Sequence, residues 1–132
     1  SGYSGIMLAA RMGFEEIVQA LINRGADVNH IDAYGQCALM RAAAKGKTKI
    51  VQLLLANKAN VNQLSKYKET ALHIASLEGK TEIVKILLDA GTDTTLKTTR
   101  SLTAADLAKR PDIKELIEQR MPKTEETDVT SE

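Results

Sequence analysis

The sequence predicts an all-α solenoid of stacked helix-turn-helix units, and three observations carry that expectation. Gly13, Gly46 and Gly79 recur at one constant interval, and a fixed period of roughly 20–50 residues is the signature of a repeat architecture. The same offsets carry one hydrophobic code: Ala9, Ala42 and Ala75 before the glycine, Ile17-Val18, Ile50-Val51 and Ile83-Val84 after it, then Leu21-Ile22, Leu54-Leu55 and Leu87-Leu88. A lone helix pair with this code has no means of burying its apolar side, so copies must stack on one another.

Each copy divides in the same way. In the second, residues 38–45 form a short alanine-rich helix whose small side chains allow close packing. Ile50, Val51, Leu54 and Leu55 then mark a second helix at helical spacing. The predicted units are residues 1–31, 32–64 and 65–97, followed by a degenerate capping unit at 98–121. In that last unit, Thr103-Ala104-Ala105-Asp106-Leu107-Ala108 keeps the first helix, and a charged second helix over residues 112–120 suits a C-terminal cap. Residues 122–132 hold one aliphatic side chain among acids, threonines and a serine, which predicts a disordered acidic tail; its Thr and Ser beside acids offer phosphate acceptors, but an inert tail is the expectation. The first unit opens at Gly2 without the first part of its hairpin, so the chain is expected to come from a longer array and to be a monomer or weak dimer through its uncovered edge.

Composition narrows the function classes. With 132 residues, 43% of them hydrophobic and 27% charged, the chain has the makings of one soluble domain. Its net charge of +1 gives no overall pull toward nucleic acid or anionic membrane. Cys37 is the single cysteine, so no internal disulfide forms, and no apolar run long enough to span a membrane is present. A reduced cytoplasmic or nuclear setting without membrane insertion is expected.

Two segments then carry a resemblance. Gly35-Gln36-Cys37-Ala38-Leu39-Met40-Arg41-Ala42-Ala43 and Lys68-Glu69-Thr70-Ala71-Leu72-His73-Ile74-Ala75-Ser76 resemble the G-x-T-P-L-H-x-A-A signature of the ankyrin-repeat family. Gly25-Ala26-Asp27-Val28-Asn29, Lys58-Ala59-Asn60-Val61-Asn62 and Gly91-Thr92-Asp93-Thr94-Thr95 are similar to the family's G-A-x-V-N hairpin lead-in. The likeness covers residues 2–120 and implies hairpin fingers projecting from the helix pairs. Departures are plain: Gly5, Ala38, Ala71 and Ala104 replace the signature proline, and its histidine survives only as His73, with Met7, Met40 and Asp106 elsewhere. Without proline's fixed φ at the helix start, these units should be less rigid.

The resemblance implies a protein-protein interaction module, a scaffold or adaptor that binds its partner on the concave face and fingertips. By position these are Tyr3, Arg11 and Met12 in the first copy, Ala33, Tyr34, Gln36 and Lys45 in the second, Lys66, Tyr67, Glu69, Leu77 and Glu78 in the third, and Arg100 in the last. The aromatic distribution points the same way, because all three tyrosines fall in finger segments and Tyr34 and Tyr67 stand one full period apart. Arg11, Arg41, Lys45, Lys66, Lys68 and Arg100 outnumber Glu69 and Glu78 there, which suits an acidic or phosphorylated partner. Asn29 and Asn62 match the asparagine that in this family is a target of oxygen-dependent hydroxylation; in structural terms the residue is expected to stabilise its hairpin by local hydrogen bonds. The alternative function is a structural spacer or capping segment with no ligand of its own.

Other chemistry finds little support. Cys37 with His30 or His73 lacks an orienting third group and an oxyanion site, so no enzyme and no cofactor are expected. His73 is expected to bond hairpin backbone. Cys37 stands between the two histidines at intervals that match no structural zinc site. Lys45-Gly46-Lys47-Thr48 lacks the upstream glycine and strand of a phosphate loop, and reads as an inter-helix turn with Thr48 near an N-cap. Nucleic-acid binding is disfavoured by the near-neutral charge.

Overall fold

The computed structural model describes residues 5–122. It forms eight helices in chain order: α1 (Gly5–Met12), α2 (Glu15–Asn23), α3 (Ala38–Ala44), α4 (Thr48–Ala56), α5 (Ala71–Glu78), α6 (Thr81–Asp89), α7 (Ala104–Leu107) and α8 (Pro111–Arg120). Among the described residues none is in a strand. Tyr3 and the acidic tail beyond residue 122 lie outside the described residues.

The helices stack in two layers. The odd-numbered helices pack α1 on α3, α3 on α5 and α5 on α7, and the even-numbered ones pack α2 on α4, α4 on α6 and α6 on α8. The core between them is the repeated code itself: Met7, Leu39, Met40, Leu72, Ile50, Leu54, Ile83, Leu87, Ile113 and Ile117 are buried, with Ala42, Ala43 and Ala75 at the close contacts. Ile17 shows what stacking contributes. It is 50% exposed, while its register equivalents Ile50 and Ile83 are 1% exposed beneath the unit before them. At the far end α8 buries Ile113 and Ile117 and turns Lys114, Glu115 and Glu118 outward.

The periodic glycine is the hinge of each pair. Gly13, Gly46 and Gly79 have φ of 84°, 71° and 74°, and the N–H of the next residue reaches back to a carbonyl of the first helix: Phe14 to Ala9 at 3.0 Å, Lys47 to Ala42 at 2.9 Å, Lys80 to Ala75 at 2.9 Å. This is the Schellman helix ending, which needs a left-handed residue and favours glycine. The following residue bends the chain in an inverse γ-turn, closed by Glu15 N–H to Gly13, Thr48 N–H to Gly46 and Thr81 N–H to Gly79 at 3.0–3.2 Å. Thr48 lies next to the N-cap, as its sequence context suggests. Lys47 holds that position, without a side-chain cap, and Thr48 is the first helical residue.

The second helices end the same way at Gly25, Lys58 and Gly91, where Lys58 adopts φ of 71° in place of glycine. Gly5, Ala38, Ala71 and Ala104 each begin a first helix, the place where proline is best tolerated. His73 closes the start of α5. Its Nδ1 accepts from Thr70 N–H at 3.0 Å, and the 3.0 Å contact from Nε2 to the Leu96 carbonyl ties α5 to the next hairpin. Asp106 takes the capping part of that role at α7 by accepting from Thr103 N–H at 2.9 Å.

Candidate concave groove and fingertips

The fingers are built on a column of side-chain acceptors. Asp32 Oδ1 accepts from Tyr34 N–H at 2.8 Å and Gln36 N–H at 3.0 Å. One unit later Ser65 Oγ accepts from Tyr67 and Glu69 N–H, both at 3.2 Å. In the last finger Thr98 Oγ1 accepts from Arg100 N–H at 3.2 Å and Leu102 N–H at 3.4 Å. The left-handed residue of each turn is Gly35, Lys68 or Ser101, with φ of 74°, 60° and 65°.

Neighbouring fingers are joined through the main chain. Lys66 N–H donates to the Tyr34 carbonyl at 2.7 Å, and Thr99 N–H to the Tyr67 carbonyl at 3.0 Å. Gly35 permits the first approach, since a Cβ there would lie 2.9 Å from the Lys66 amide nitrogen. Tyr34, Tyr67 and Arg100 thus form one row across three fingertips, and both rings are exposed, at 56% and 52%. The Lys66 ammonium sits 5.5 Å from the Tyr34 ring centroid and 5.7 Å from that of Tyr67, within cation-π range of both. Ala33 is exposed beside them.

Behind the fingers run two adjoining depressions. One, of about 240 Å³, gathers Arg11, Gln36, Lys45, Glu69, Leu77 and Glu78, all of them residues expected from position alone. The other, of about 280 Å³, is walled by Tyr67 and Arg100, floored by Leu102 and Leu107, and shares Glu69 and Leu77 with the first. Met12 is exposed at the C-terminal end of α1. Position in the repeat did not flag Met40, Ile74 or Leu107 as lining residues. Leu107 and Ile74 are one period apart, as are Ile74 and Arg41, so this column was readable from the repeat.

One member of the expected basic set is paired within the protein. Arg41 is not an outward-facing cation: its guanidinium bonds Asp32 at 2.9 Å, with the side chains 26% and 5% exposed. Burial alone would raise the Asp32 carboxyl. The amides of Gln36 and Tyr34, with Arg41, outweigh that and hold it below its ordinary value. This pair braces a finger from its own helix; in the depression of about 240 Å³ Arg11 and Lys45 then equal Glu69 and Glu78 in number, while Lys66, Lys68 and Arg100 keep the fingers basic.

Asn29 and Asn62 are corrected too, in what they bond. The Asn29 carboxamide accepts from Asn60 N–H at 2.6 Å and donates to the Lys58 carbonyl at 3.2 Å. The Asn62 oxygen accepts from Asp93 N–H at 2.8 Å and the Thr92 hydroxyl at 3.2 Å. These bonds run to the next unit, so the asparagines are inter-unit ties. The local turn is made instead by Asp27, Asn60 and Asp93, which accept from the amides of Asn29, Asn62 and Thr95 at 2.9–3.0 Å.

Cys37 is buried at the start of α3, and burial pushes its thiol up, away from the reactive thiolate. His73 is likewise engaged, its Nδ1 and Nε2 both bonded to backbone groups.

Against this geometry, the family model described as Ankyrin repeats (3 copies) matches residues 6–98. The chain belongs to the ankyrin-repeat family. The matched span takes in α1 to α6 and the start of the third finger, so the α7/α8 pair lies beyond it. Comparison with curated proteins gave no match. Ankyrin repeats generally serve protein-protein interaction and are typically non-enzymatic scaffolds. No helix among the described residues is long and apolar enough to cross a membrane.

Proposed function

We propose that this ankyrin array is a recognition module of the reduced cytoplasmic or nuclear compartments, holding a segment of a partner protein against its fingertips and concave groove. The observation that carries the reading is the pair Tyr34 and Tyr67. Two register-equivalent rings stand exposed on adjacent fingers, fixed in spacing by a main-chain bond and bridged by one cation. Tyrosine offers a large amphipathic contact area with few torsions to freeze, which is why it is enriched where proteins meet. Lys66 and Arg100 on the same row favour a carboxylate or phosphate on the partner. The groove behind supplies the apolar floor that an anchoring side chain requires.

The test is affinity capture with the intact chain beside a Tyr34→Ala/Tyr67→Ala variant of equal helicity. A partner held by the intact chain and released by the variant supports the reading; losses of more than about 1–2 kcal/mol are expected of central aromatic contacts. Equal capture by both chains refutes it, and capture by neither favours a structural spacer.

A further inference from the structure

The groove beneath the fingers carries charges of both signs, and they are sorted along the stack. Arg11 and Lys45 line the side toward the first unit, and Glu69 and Glu78 the side toward the last. Lys45 and Glu78 occupy the same register position one unit apart and both are exposed. None of the ion pairs among the described residues includes Lys45, Glu69 or Glu78. The rest of the lining, its floor, is mostly apolar: Met40, Ala44, Ile74 and Leu77 beside Gln36 and the Asp32-paired Arg41.

A ligand laid on that floor strips water from both sets of charge at once. A charge desolvated without a counter-charge opposes binding, so affinity demands a partner that matches each sign in its place. A wholly acidic or phosphorylated segment satisfies Lys45 and is repelled by Glu69 and Glu78. Resting on the recognition reading above, we propose that the occupant is an extended peptide segment of a partner protein in which an apolar side chain lies between an acidic and a basic one. The acid faces Lys45, and the base faces Glu69 and Glu78. Packed helices lie roughly 10 Å apart, a distance spanned by about three residues of extended chain, so acid and base stand about that many positions apart.

The experiment pans short random peptides displayed on phage against the intact chain, the Tyr34→Ala/Tyr67→Ala variant and a charge-exchanged Lys45→Glu/Glu78→Lys variant, all matched in helicity and melting. The intact chain should enrich peptides with an acid and a base flanking an apolar residue. The leading peptide, made synthetically, should bind the charge-exchanged variant at least about tenfold more weakly, and interchanging its acid and base should restore affinity there. Equal affinity for the intact and charge-exchanged chains, with binding lost on the tyrosine variant, overturns the charge assignment and leaves the recognition reading standing. Enrichment of purely acidic peptides overturns the charge assignment as well. Enrichment that survives on the tyrosine variant, or none on any chain, overturns both.

Discussion

Lys58 occupies a position built for glycine, and replacing it should stabilise the protein. Its φ of 71° lies where Gly25 and Gly91, the equivalent residues of neighbouring units, have φ of 90° and 86°. All three end a second helix with the same return bond, here Ala59 N–H to the Leu54 carbonyl at 3.0 Å. A Cβ in the left-handed region costs roughly 1–2 kcal/mol. Glycine relieves that cost but gives the unfolded chain extra freedom worth about 0.5–1 kcal/mol. The Lys58 side chain is exposed and makes no ion pair among the described residues, so little else changes. The net expectation for Lys58→Gly is a gain of about 0.5–1 kcal/mol, or a melting temperature higher by about 2–4 °C in a chain of this size. Lys58→Ala keeps the Cβ and is the control, expected near zero. Thermal and urea unfolding of the three chains by circular dichroism measures this. A glycine variant no more stable than the alanine variant would refute the strain argument, because both remove the lysine and only one removes the Cβ.

The starts of the first helices give the remaining predictions. Ala38→Pro and Ala71→Pro should each raise stability by about 0.5–1 kcal/mol in urea titration, since Cys37 and Thr70 before them already have the extended backbone, with ψ of 174° and 173°, that proline imposes on its predecessor; a loss on either substitution would show that the start of that helix is not free. His73 is buried, and desolvation outweighs its bonds to lower its pKa from the ordinary 6.5. The folded state therefore prefers the neutral ring, and stability should be fully present above 6.5 and fall as pH drops from there toward the lowered value; His73→Asn should flatten that slope in melts across the same range, and an unchanged slope would place the titration elsewhere.

How much of this was legible in the sequence differs column by column. The glycine at Gly13, Gly46 and Gly79 announced both the period and the place of the turn, because one backbone geometry demands it in every unit. The tyrosine row was legible as two like residues one period apart. The column of Asp32, Ser65 and Thr98 stayed hidden although its members are also one period apart. Three different residue types fill it, and what they share is an acceptor oxygen at one distance from the backbone. Arg41 was misassigned because a first-helix arginine looks like a surface cation until Asp32, nine positions earlier, folds beside it. The Asn29 and Asn62 bonds were legible as hydrogen-bonding capacity but not as direction, since local and inter-unit partners lie equally near in a stacked array. Lys58 and Lys68 broke the glycine pattern without breaking the fold, so only the backbone reveals their strain.

The way the units are joined determines where function can vary. At the fingertips the tie is between main-chain atoms, Lys66 N–H to the Tyr34 carbonyl and Thr99 N–H to the Tyr67 carbonyl, so the side chains of that row are free to differ without loosening the stack. At the hairpin lead-in the tie is the asparagine side chain, and at α5 it is the His73 ring, so those positions are bound to structure. Substituting Asn29 or Asn62 would strip bonds from the next unit and lower binding by loosening the array, which makes such variants poor tests of recognition. Substituting Tyr34, Tyr67, Lys45 or Glu78 removes no hydrogen bond made by a side chain among the described residues. A binding loss at those four positions with melting unchanged therefore reports on contact with a ligand, and the same loss with melting lowered would mean that the rings or charges support the fingers themselves.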